Sequence, residues 1–214
     1  MNNSKGKSDF RNIDQVYPLI LASASPRRRD ILQQVGLPFV ILPADIDESG
    51  MHVDPAENAK LLAEKKACTV YSGTDNGWIL GVDTTVVIED TILGKPVDAA
   101  DARFMLGLLS GKYHRVISGF SILDPEGQPV CSDYVSTDVL VKRLAAEDIS
   151  AYIATGEPFG KAGGYAIQGV GSFMIESING SYSNVVGLPV CAVINAFLEV
   201  GALKRFPTPR SDTI

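Results

Sequence analysis

Histidine and cysteine are scarce in this chain of 214 residues, which has two histidines and three cysteines. The cysteines, Cys68, Cys131 and Cys191, are odd in number, lie far apart and include no CxxC pair. We therefore expect reduced thiols and no disulfide framework, as is typical of a cytoplasmic protein. The spacing of the cysteines also argues against a zinc site, and two histidines are too few for a histidine-rich metal centre.

Long apolar runs and an excess of positive charge are lacking as well. No apolar run approaches the roughly 20 residues that cross a membrane, and the polar stretch 1–15 has no apolar core of the kind found in signal peptides. The formal net charge is -6, which argues against a broad surface for nucleic acids. The sequence therefore predicts a soluble cytoplasmic protein that binds neither membranes nor nucleic-acid polymers.

Strand-like and helix-like patterns alternate in the first half of the chain, and a hairpin pattern follows in the middle. Short apolar and β-branched runs predict strands at 18–23, 39–42, 78–88, 113–123, 130–142 and 172–178. Amphipathic segments predict helices at 25–36, 55–71, 98–109, 146–155 and 189–200. The order predicts an α/β fold with two lobes around a cleft. Residues 18–202 are predicted to form one domain, between flexible tails at 1–17 and 203–214.

The first predicted strand runs into its helix through the sequence Ser-Pro-Arg-Arg. Ser25 is a natural N-cap, because its hydroxyl can accept from backbone N–H groups of the first turn, and Pro26 fits the first helical position. Arg27 and Arg28 follow, where positive charge opposes the helix dipole. Two arginines added to a helix end that already attracts anions predict a phosphate site. A solvated basic turn is the alternative.

Asp83 lies inside an otherwise apolar run, 79–88. Burying a carboxylate there is unfavourable unless a cation or hydrogen-bond donors compensate its charge. The pattern therefore predicts a functional residue, and an aspartate that caps a neighbouring loop is the alternative. The acidic loop 45–48 could supply a second carboxylate, although Asp47 and Glu48 taken alone favour a solvated loop. Two carboxylates that converge on phosphates indicate Mg²⁺ or Mn²⁺.

Two lysines and a glutamine complete the candidate set. Lys66 lies late in the second predicted helix, and Lys95 lies in a Gly-Lys-Pro loop. Together with the arginines they could surround a triphosphate and stabilise the charge that develops in phosphoryl transfer. Gln168 lies in a glycine-rich segment, where its amide could read the edge of a base. His114 has no nucleophile nearby and is predicted to be a structural residue with satisfied hydrogen bonds.

These motifs occur in the same order in the Maf-like nucleotide pyrophosphatases, a family that the chain resembles from about residue 18 to 200. The resemblance rests on the segments 21–28, 81–84, 93–96, 109–114, 161–169, 179–182 and 186–189. It implies a mixed β-sheet with flanking helices, similar to that of ITP pyrophosphatases. It also implies hydrolysis of nucleoside triphosphates to the monophosphate and pyrophosphate with a divalent metal, Mg²⁺ or Mn²⁺. A homodimer and a role in removing surplus or non-standard nucleotides are further implications.

The resemblance also implies roles for residues at matching positions. Asp83 is expected to activate water at the α-phosphorus and, with Glu48, to bind the metal. The catalytic set is then Asp83, Lys66 and Lys95. The substrate-binding set is Ser23, Ser25, Arg27, Arg28, Thr84 and Gln168, in which Thr84 and Gln168 match positions tied to base choice.

The segment 167–169, Ile-Gln-Gly, resembles the branch of the family that acts on dTTP and UTP. The branch that acts on methylated guanine has an acid in place of the glutamine. One departure is Gly160, because members of the first branch usually have an aspartate before the Lys-Ala-Gly sequence. This change removes one carboxylate near the expected site.

Two other functions fit parts of the sequence. The segment 45–49 is a degenerate form of the motif of phosphatases that form an aspartyl phosphate, with Ser49 as its misfit. A nucleotide-binding regulatory module linked to cell division would bind nucleotides without important turnover. The complete set of Asp83, Lys95 and Gln168 argues against such a module.

Overall fold

The computed structural model describes residues 12–48, 54–74 and 76–207. Ser49, His52 and most of the two predicted tails therefore lie outside the described residues. The strands are β1 (Leu19–Leu21), β2 (Phe39–Ile41), β3 (Trp78–Ile88), β4 (Thr91–Leu93), β5 (Tyr113–Leu123), β6 (Pro129–Val141) and β7 (Ile175–Asn179). The α-helices are α1 (Pro26–Gln34), α2 (Pro55–Tyr71), α3 (Ala99–Leu109), α4 (Ala146–Ala154), α5 (Tyr182–Val186) and α6 (Val190–Glu199).

The strands form one mixed sheet in the order β2-β1-β3-β5-β6-β7, with β4 beside β3. β1 is parallel to both of its neighbours, β2 and β3. The hairpin β5–β6 and the pairings of β3 with β5 and of β6 with β7 are antiparallel. The predicted α/β fold, a mixed sheet with flanking helices, is confirmed.

One edge of β3 is covered in two separate places. β1 pairs with residues 78–80 of β3, and β4 pairs with residues 86–88. Between them, residues 81–85 pair with β5 on the other edge but with no described strand on this one. Side chains from both faces of the sheet can therefore reach the space beside residues 81–85 of β3.

Side chains alternate along β3 and contribute to cores on both faces of the sheet. Trp78, Leu80 and Val82 pack with residues of α1 and α6, whereas Ile79 packs with residues of α2 on the opposite face. Further along β3, Val86 belongs to a different core that includes residues of α3 and α4. The gap in the edge of β3 therefore lies between these two cores.

Two glycines let α2 approach the sheet closely. A Cβ atom at Gly81 would overlap the carbonyl group of Ala63, and one at Gly119 would overlap the carbonyl of Ala59. Because neither residue has a side chain, the backbone of α2 lies directly on β3 and β5. The same helix carries Lys66, so this close approach sets the height of that side chain above the sheet.

Three local predictions differ from the structure. β4 was not predicted, because three residues are too few to show a pattern. The sequence pattern predicts no element at 182–186, where the structure has α5, capped by Ser181, which accepts from the backbone N–H of Asn184. The strand predicted at 172–178 begins only at Ile175, because Val170–Met174 form a 3₁₀ helix.

The described parts of the predicted tails contact the body of the protein. Ile13, Tyr17 and Leu203 pack against the core on the α1 and α6 side, and the Ile13 N–H donates to the Ala202 carbonyl at 2.9 Å. The three cysteines, all within the described residues, are free thiols. In the part of the chain that the structure describes, no helix is both long and apolar enough to cross a membrane.

Candidate active site

A cleft of about 570 Å³ opens at the end of β1 and along the gap in the edge of β3. All the residues predicted for the site line it, namely Ser23, Ser25, Arg27, Arg28, Glu48, Lys66, Asp83, Thr84, Lys95 and Gln168. They come from α1, α2, β3 and the loops around them, so the fold brings distant parts of the sequence together in one cavity.

Asp83 and Glu48 meet at a lysine. Asp83 points from β3 towards α2, where the Lys66 ammonium lies 2.6 Å from Asp83 Oδ1 and 2.6 Å from Glu48 Oε1. Asp83 and Lys66 are buried, whereas the Glu48 side chain is 46% exposed. The ammonium compensates the charge of the buried carboxylate, which would otherwise be costly to bury.

The charge around Glu48 favours its ionised form. Partial burial raises the pKa of this carboxyl, but the hydrogen bond and charge of Lys66 outweigh it, and the charges of Lys95 and Arg28 add to the effect. The net result is a pKa below the usual value of a glutamate. Glu48 is therefore an anion at neutral pH and can act as an oxygen ligand.

The carboxylate pair fits a hard divalent cation. The oxygens of Glu48 and Asp83 already share one cationic neighbour, and oxygen donors are what Mg²⁺ and Mn²⁺ prefer. Among the described residues, no group of three His, Cys, Asp or Glu side chains could hold a metal. A cation here would depend on water and substrate oxygens for its remaining ligands, as Mg²⁺ usually does.

Arg28 is buried, and its guanidinium makes hydrogen bonds to other groups of the protein. Its guanidinium donates to the carbonyls of Gly187 at 2.8 Å and Val82 at 2.9 Å, and to the hydroxyls of Ser23 at 2.8 Å and Thr84 at 2.9 Å. Burial lowers its pKa to about 10, although the charge of Asp83 opposes this effect. These bonds take four of the five N–H donors of an arginine, so Arg28 mainly braces the cleft.

Arg27 has a different environment on the same turn of α1. Its Nε donates to the Val186 carbonyl at 3.2 Å, and burial lowers the pKa of the guanidinium. Across the cleft, burial lowers the pKa of Lys161, and the charge of Arg27 lowers it further while Glu157 opposes the change. Arg27 and Lys161 therefore lie within each other's field and form a basic end of the cleft that suits an anion.

The prediction that the Ser25 hydroxyl caps α1 is wrong. Ser25 occupies the N-cap position, but its side chain makes no capping hydrogen bond within the described structure. Its backbone N–H instead donates to Ser23 Oγ at 3.3 Å. The Ser25 side chain lines the cleft, where the hydroxyl can serve a ligand.

The positions linked to base choice are supported by neighbouring polar groups. Thr84 Oγ1 lies 2.9 Å from Ser118 Oγ and also contacts Arg28 and the Gly187 carbonyl. Gln168 comes just before a 3₁₀ helix whose first backbone N–H groups donate to the Glu157 carboxylate, at 3.1 Å from Val170 and 2.7 Å from Gly171. Glu157 therefore fixes the segment that carries Gln168.

Sequence reasoning missed several polar residues of the cleft lining, among them Asn58, Lys161 and Tyr165. Lys161 follows Gly160, and a glycine-lysine pair is the same signal that led to Lys95. Asn58 and Tyr165 had no such signal, because their position follows from how α2 and the 3₁₀ segment Ala162–Gly164 pack.

His114 is structural in position but only half satisfied. Its Nε2 lies 2.7 Å from the Tyr165 hydroxyl, whereas its buried Nδ1 has no hydrogen-bond partner among the described residues. Burial lowers its pKa to about 4. The prediction of a satisfied histidine is therefore wrong for one ring nitrogen, and the neutral ring supports Tyr165 at the wall of the cleft.

The acidic loop contributes one carboxylate to the cleft. Within the described part of this loop, Glu48 belongs to the lining, and Asp45 and Asp47 do not. The Asp47 carbonyl accepts from the exposed Lys65 at 2.9 Å. This placement gives no support to an aspartyl-phosphate motif in the segment 45–49.

Comparison with known proteins gives a consistent result. The family model described as Maf-like protein matches residues 18–200. The dTTP/UTP pyrophosphatase of Syntrophotalea carbinolica is 48% identical over 208 residues, 95% of this chain and 94% of that protein. The dTTP/UTP pyrophosphatase of Ruminiclostridium cellulolyticum is 49% identical over 174 residues, 80% of this chain and 90% of that protein. The matched region contains the entire cleft lining.

Solved structures offer a more distant likeness. A dITP/XTP pyrophosphatase from Mycobacterium abscessus aligns with 59% of this chain and 74% of its own, at 17% identity and a TM-score of 0.40.

Proposed function

Because the chain belongs to the Maf-like protein family, we propose that it hydrolyses nucleoside triphosphates, dTTP and UTP above all, to the monophosphate and pyrophosphate. The observation that carries the proposal is the pair of carboxylates, Glu48 and Asp83, at 2.6 Å from Lys66 in a cleft that Arg27 and Lys95 also line. Relatives named dTTP/UTP pyrophosphatase at 48% and 49% identity support the choice of substrate.

Asp83 is the proposed base. Its carboxylate accepts a proton from water, the water oxygen attacks the α-phosphorus, and the bond to the oxygen that bridges the α- and β-phosphates breaks. Pyrophosphate leaves with the electron pair of that bond. The charges of Lys66, Lys95 and Arg27 stabilise the negative charge that develops on the phosphate oxygens. Ser23 and Ser25 offer hydroxyls to the same phosphates.

The proposed metal is Mg²⁺ or Mn²⁺, held by Glu48 and Asp83. When bound, it would neutralise charge on the phosphate oxygens. The oxygen character of the donors and their convergence on one point support this assignment.

Gln168 is proposed to recognise the base, in an arrangement that Thr84 supports. An amide can accept from the N3–H group of uracil or thymine and donate to their O4 carbonyl. Cytosine presents an acceptor and a donor at these positions, so the same amide would have to turn over. The Glu157 carboxylate holds the backbone just after Gln168 and thereby helps to fix where this side chain enters the cleft.

A homodimer and a cytoplasmic location are part of the proposal; the first derives from the family resemblance and the second from the scarce, unpaired cysteines. Sedimentation analysis of the purified chain would measure its oligomeric state directly. The proposed domain division, 18–202 between two tails, also stays a prediction, and limited proteolysis would examine it.

The test is an assay of pyrophosphate and orthophosphate release from canonical and modified triphosphates, with Mg²⁺ or Mn²⁺. We expect pyrophosphate, released fastest from dTTP and UTP. Asp83→Asn should keep the fold and lose at least about 100-fold in turnover, because the base is removed. Asp90→Asn, an exposed turn residue, is the matched control and should keep full activity.

The other outcomes separate the alternatives. Pyrophosphate from other bases alone would retain the chemistry and reject the specificity, with Gly160 as the first residue to change. Orthophosphate as the only product would favour the aspartyl-phosphate phosphatase. Tight nucleotide binding without any pyrophosphate would favour the regulatory module, and near wild-type turnover of a folded Asp83→Asn enzyme would reject the assigned base.

A further inference from the structure

Lys66 occupies the point where a metal bound by Glu48 and Asp83 would lie. Its ammonium is 2.6 Å from one oxygen of each carboxylate, and the lysine side chain is 10% exposed. A Mg²⁺ ion holds its oxygen ligands at about 2.0–2.1 Å. Two oxygens that already share an ammonium at 2.6 Å would therefore need to move by only fractions of an ångström to share the smaller cation.

We propose that the Lys66 ammonium and the divalent cation are alternative occupants of this one position, so that the metal enters together with the triphosphate and not before it. The inference rests on the proposed function, because it takes the triphosphate as the ligand that draws Lys66 away. It concerns the order of binding, which the hydrolysis reaction alone does not specify.

The charges around the carboxylates explain why the metal alone is disfavoured. Glu48 lies in the field of Lys66, Lys95 and Arg28, and Asp83 lies near Lys66 and Arg28. Two negative charges are therefore surrounded by three positive ones, so the site has little net attraction for a second cation. A divalent ion would also have to displace an ammonium that makes two short contacts.

A triphosphate changes this balance. Its phosphates bring several negative charges into a cleft that Lys66 and Lys95 line, and an ammonium can exchange a carboxylate partner for a phosphate oxygen. When Lys66 turns to the phosphates, the two carboxylates become free for the metal that the nucleotide carries. Lys66 thereby couples metal binding to substrate binding, a coupling that must act equally in both directions.

The experiment measures Mn²⁺ binding by electron paramagnetic resonance, from the signal of free Mn²⁺, with no turnover required. Mn²⁺ is titrated alone and with α,β-imido-dUTP, which resists cleavage at the α-phosphorus, and the Mn²⁺ that the analogue binds without protein is measured separately and subtracted. In the wild-type protein we expect the analogue to tighten Mn²⁺ binding by about tenfold or more. In Lys66→Met, Mn²⁺ alone should bind about tenfold tighter than it binds to the wild type.

Lys65→Met is the matched control. Lys65 is the preceding residue of α2, is exposed and contacts the Asp47 carbonyl of the same acidic loop, but it lies outside the cleft lining. Its variant should bind Mn²⁺ like the wild type. The double variant Lys66→Met with Glu48→Gln should lose the increase in Mn²⁺ affinity that Lys66→Met shows, because one of the two carboxylates is then missing.

Clear outcomes would overturn the proposal. The first is that Lys66→Met binds Mn²⁺ no more tightly than the wild type does. The second is that the increase in Mn²⁺ affinity persists in the double variant. If Lys66→Met does not fold, Lys66→Gln, which keeps a polar group at this position, is used in its place. If neither folds, the wild type decides, because equal Mn²⁺ affinity with and without the analogue rejects the coupling.

This test and that of the proposed function fail separately. Tighter Mn²⁺ binding by the lysine variant together with no pyrophosphate release from the wild type would reject the function and keep the exchange of cations. Pyrophosphate release by the wild type, together with equal Mn²⁺ affinities of the wild type and the lysine variant, would keep the function and reject the exchange of cations.

Discussion

Three consecutive arginines at the start of α1 have three different surroundings. Arg27 is half-buried at the basic end of the cleft, beside Lys161. Arg28 is buried and bonded to Val82 and Thr84 of β3 and to the Gly187 carbonyl. Arg29 is exposed and pairs with Asp30 at 3.1 Å. The three side chains should therefore differ in what they contribute to stability and to binding.

We expect Arg28→Met to lower the free energy of unfolding by roughly 3 kcal/mol, because buried carbonyls of Val82 and Gly187 lose their charged donor. Arg27→Met should cost less than about 1 kcal/mol and raise KM, since its guanidinium mainly serves the ligand. Urea unfolding and steady-state release of pyrophosphate are the measurements.

Arg29→Met is the control for the pair, because its surface ion pair is worth little. Both its stability and its KM should match the wild type. Equal losses of stability in all three variants would contradict the distinct roles that the structure assigns.

His114 gives the protein a pH-dependent stability. In the native state burial lowers its pKa to about 4, whereas in the unfolded chain it titrates near 6.5. Between these values the unfolded chain binds more protons, so stability is complete above about pH 6.5 and is lost as the pH falls towards 4.

The expected loss between pH 7 and pH 5 is about 2 kcal/mol. His114→Gln cannot titrate and should lack this part of the loss, even if it is less stable at pH 7. Urea unfolding of both proteins between pH 5 and pH 7 separates the contribution of His114 to the pH dependence from that of the carboxylates, which both proteins have. Parallel pH profiles of the two proteins would show that His114 does not contribute.

At the scale of elements, the contact of α2 with the sheet positions the site. Gly119 faces the backbone of Ala59, and about two turns further along the helix Lys66 reaches Asp83 on the neighbouring strand. A side chain under the helix would lift it from the sheet and separate the two charged groups. The glycine therefore affects the chemistry through the placement of a helix.

We expect Gly119→Ala to lower the free energy of unfolding by roughly 1–3 kcal/mol, the usual cost of overpacking, and to reduce turnover as well. Gly107→Ala is the control, since Gly107 is an exposed residue of α3 with no described neighbour within 4 Å of an added Cβ. That change should stabilise the protein by about 0.5–1 kcal/mol. Thermal and urea unfolding, followed by the pyrophosphate assay, give both quantities.

At the scale of the whole molecule, the cleft lies between two cores that share the long strand β3. Val82 belongs to the core with α1 and α6, and Val86 belongs to the core with α3 and α4. A ligand that contacts both Arg27 and Lys95 links the two sides. Its binding should therefore stabilise the molecule as a unit.

We expect α,β-imido-dUTP with Mn²⁺, at about 100 times the dissociation constant, to raise Tm by roughly 5–10 °C. Removal of the metal with EDTA should reverse most of this shift, because the carboxylates and the phosphates then lose their shared cation. Differential scanning calorimetry is the measurement. An equal shift with dUMP at the same concentration would contradict a site built for a triphosphate.

Much of the fold follows from local patterns in the sequence. The apolar run 79–88 is long and β-branched enough to specify β3, and the spacing of apolar residues in 55–71 specifies α2. Asp83 could be identified because a carboxylate is costly within such a run. β4 and α5 could not, since three and five residues carry too little periodic signal and form through contacts with other segments.

The sequence by itself determined which residues have the chemistry for a phosphate site, and the tertiary structure decided what each of them does there. Arg27 and Arg28 are identical in type and adjacent in the chain, yet the partners of Arg28 at Val82 and Gly187 lie 54 and 159 residues away. Likewise, composition and spacing do not distinguish Glu48 from the other acids of the loop 45–48, whereas α2 does so by bringing Lys66 to it. Burial and charge pairing depend on distant segments, so only the folded chain could assign these roles.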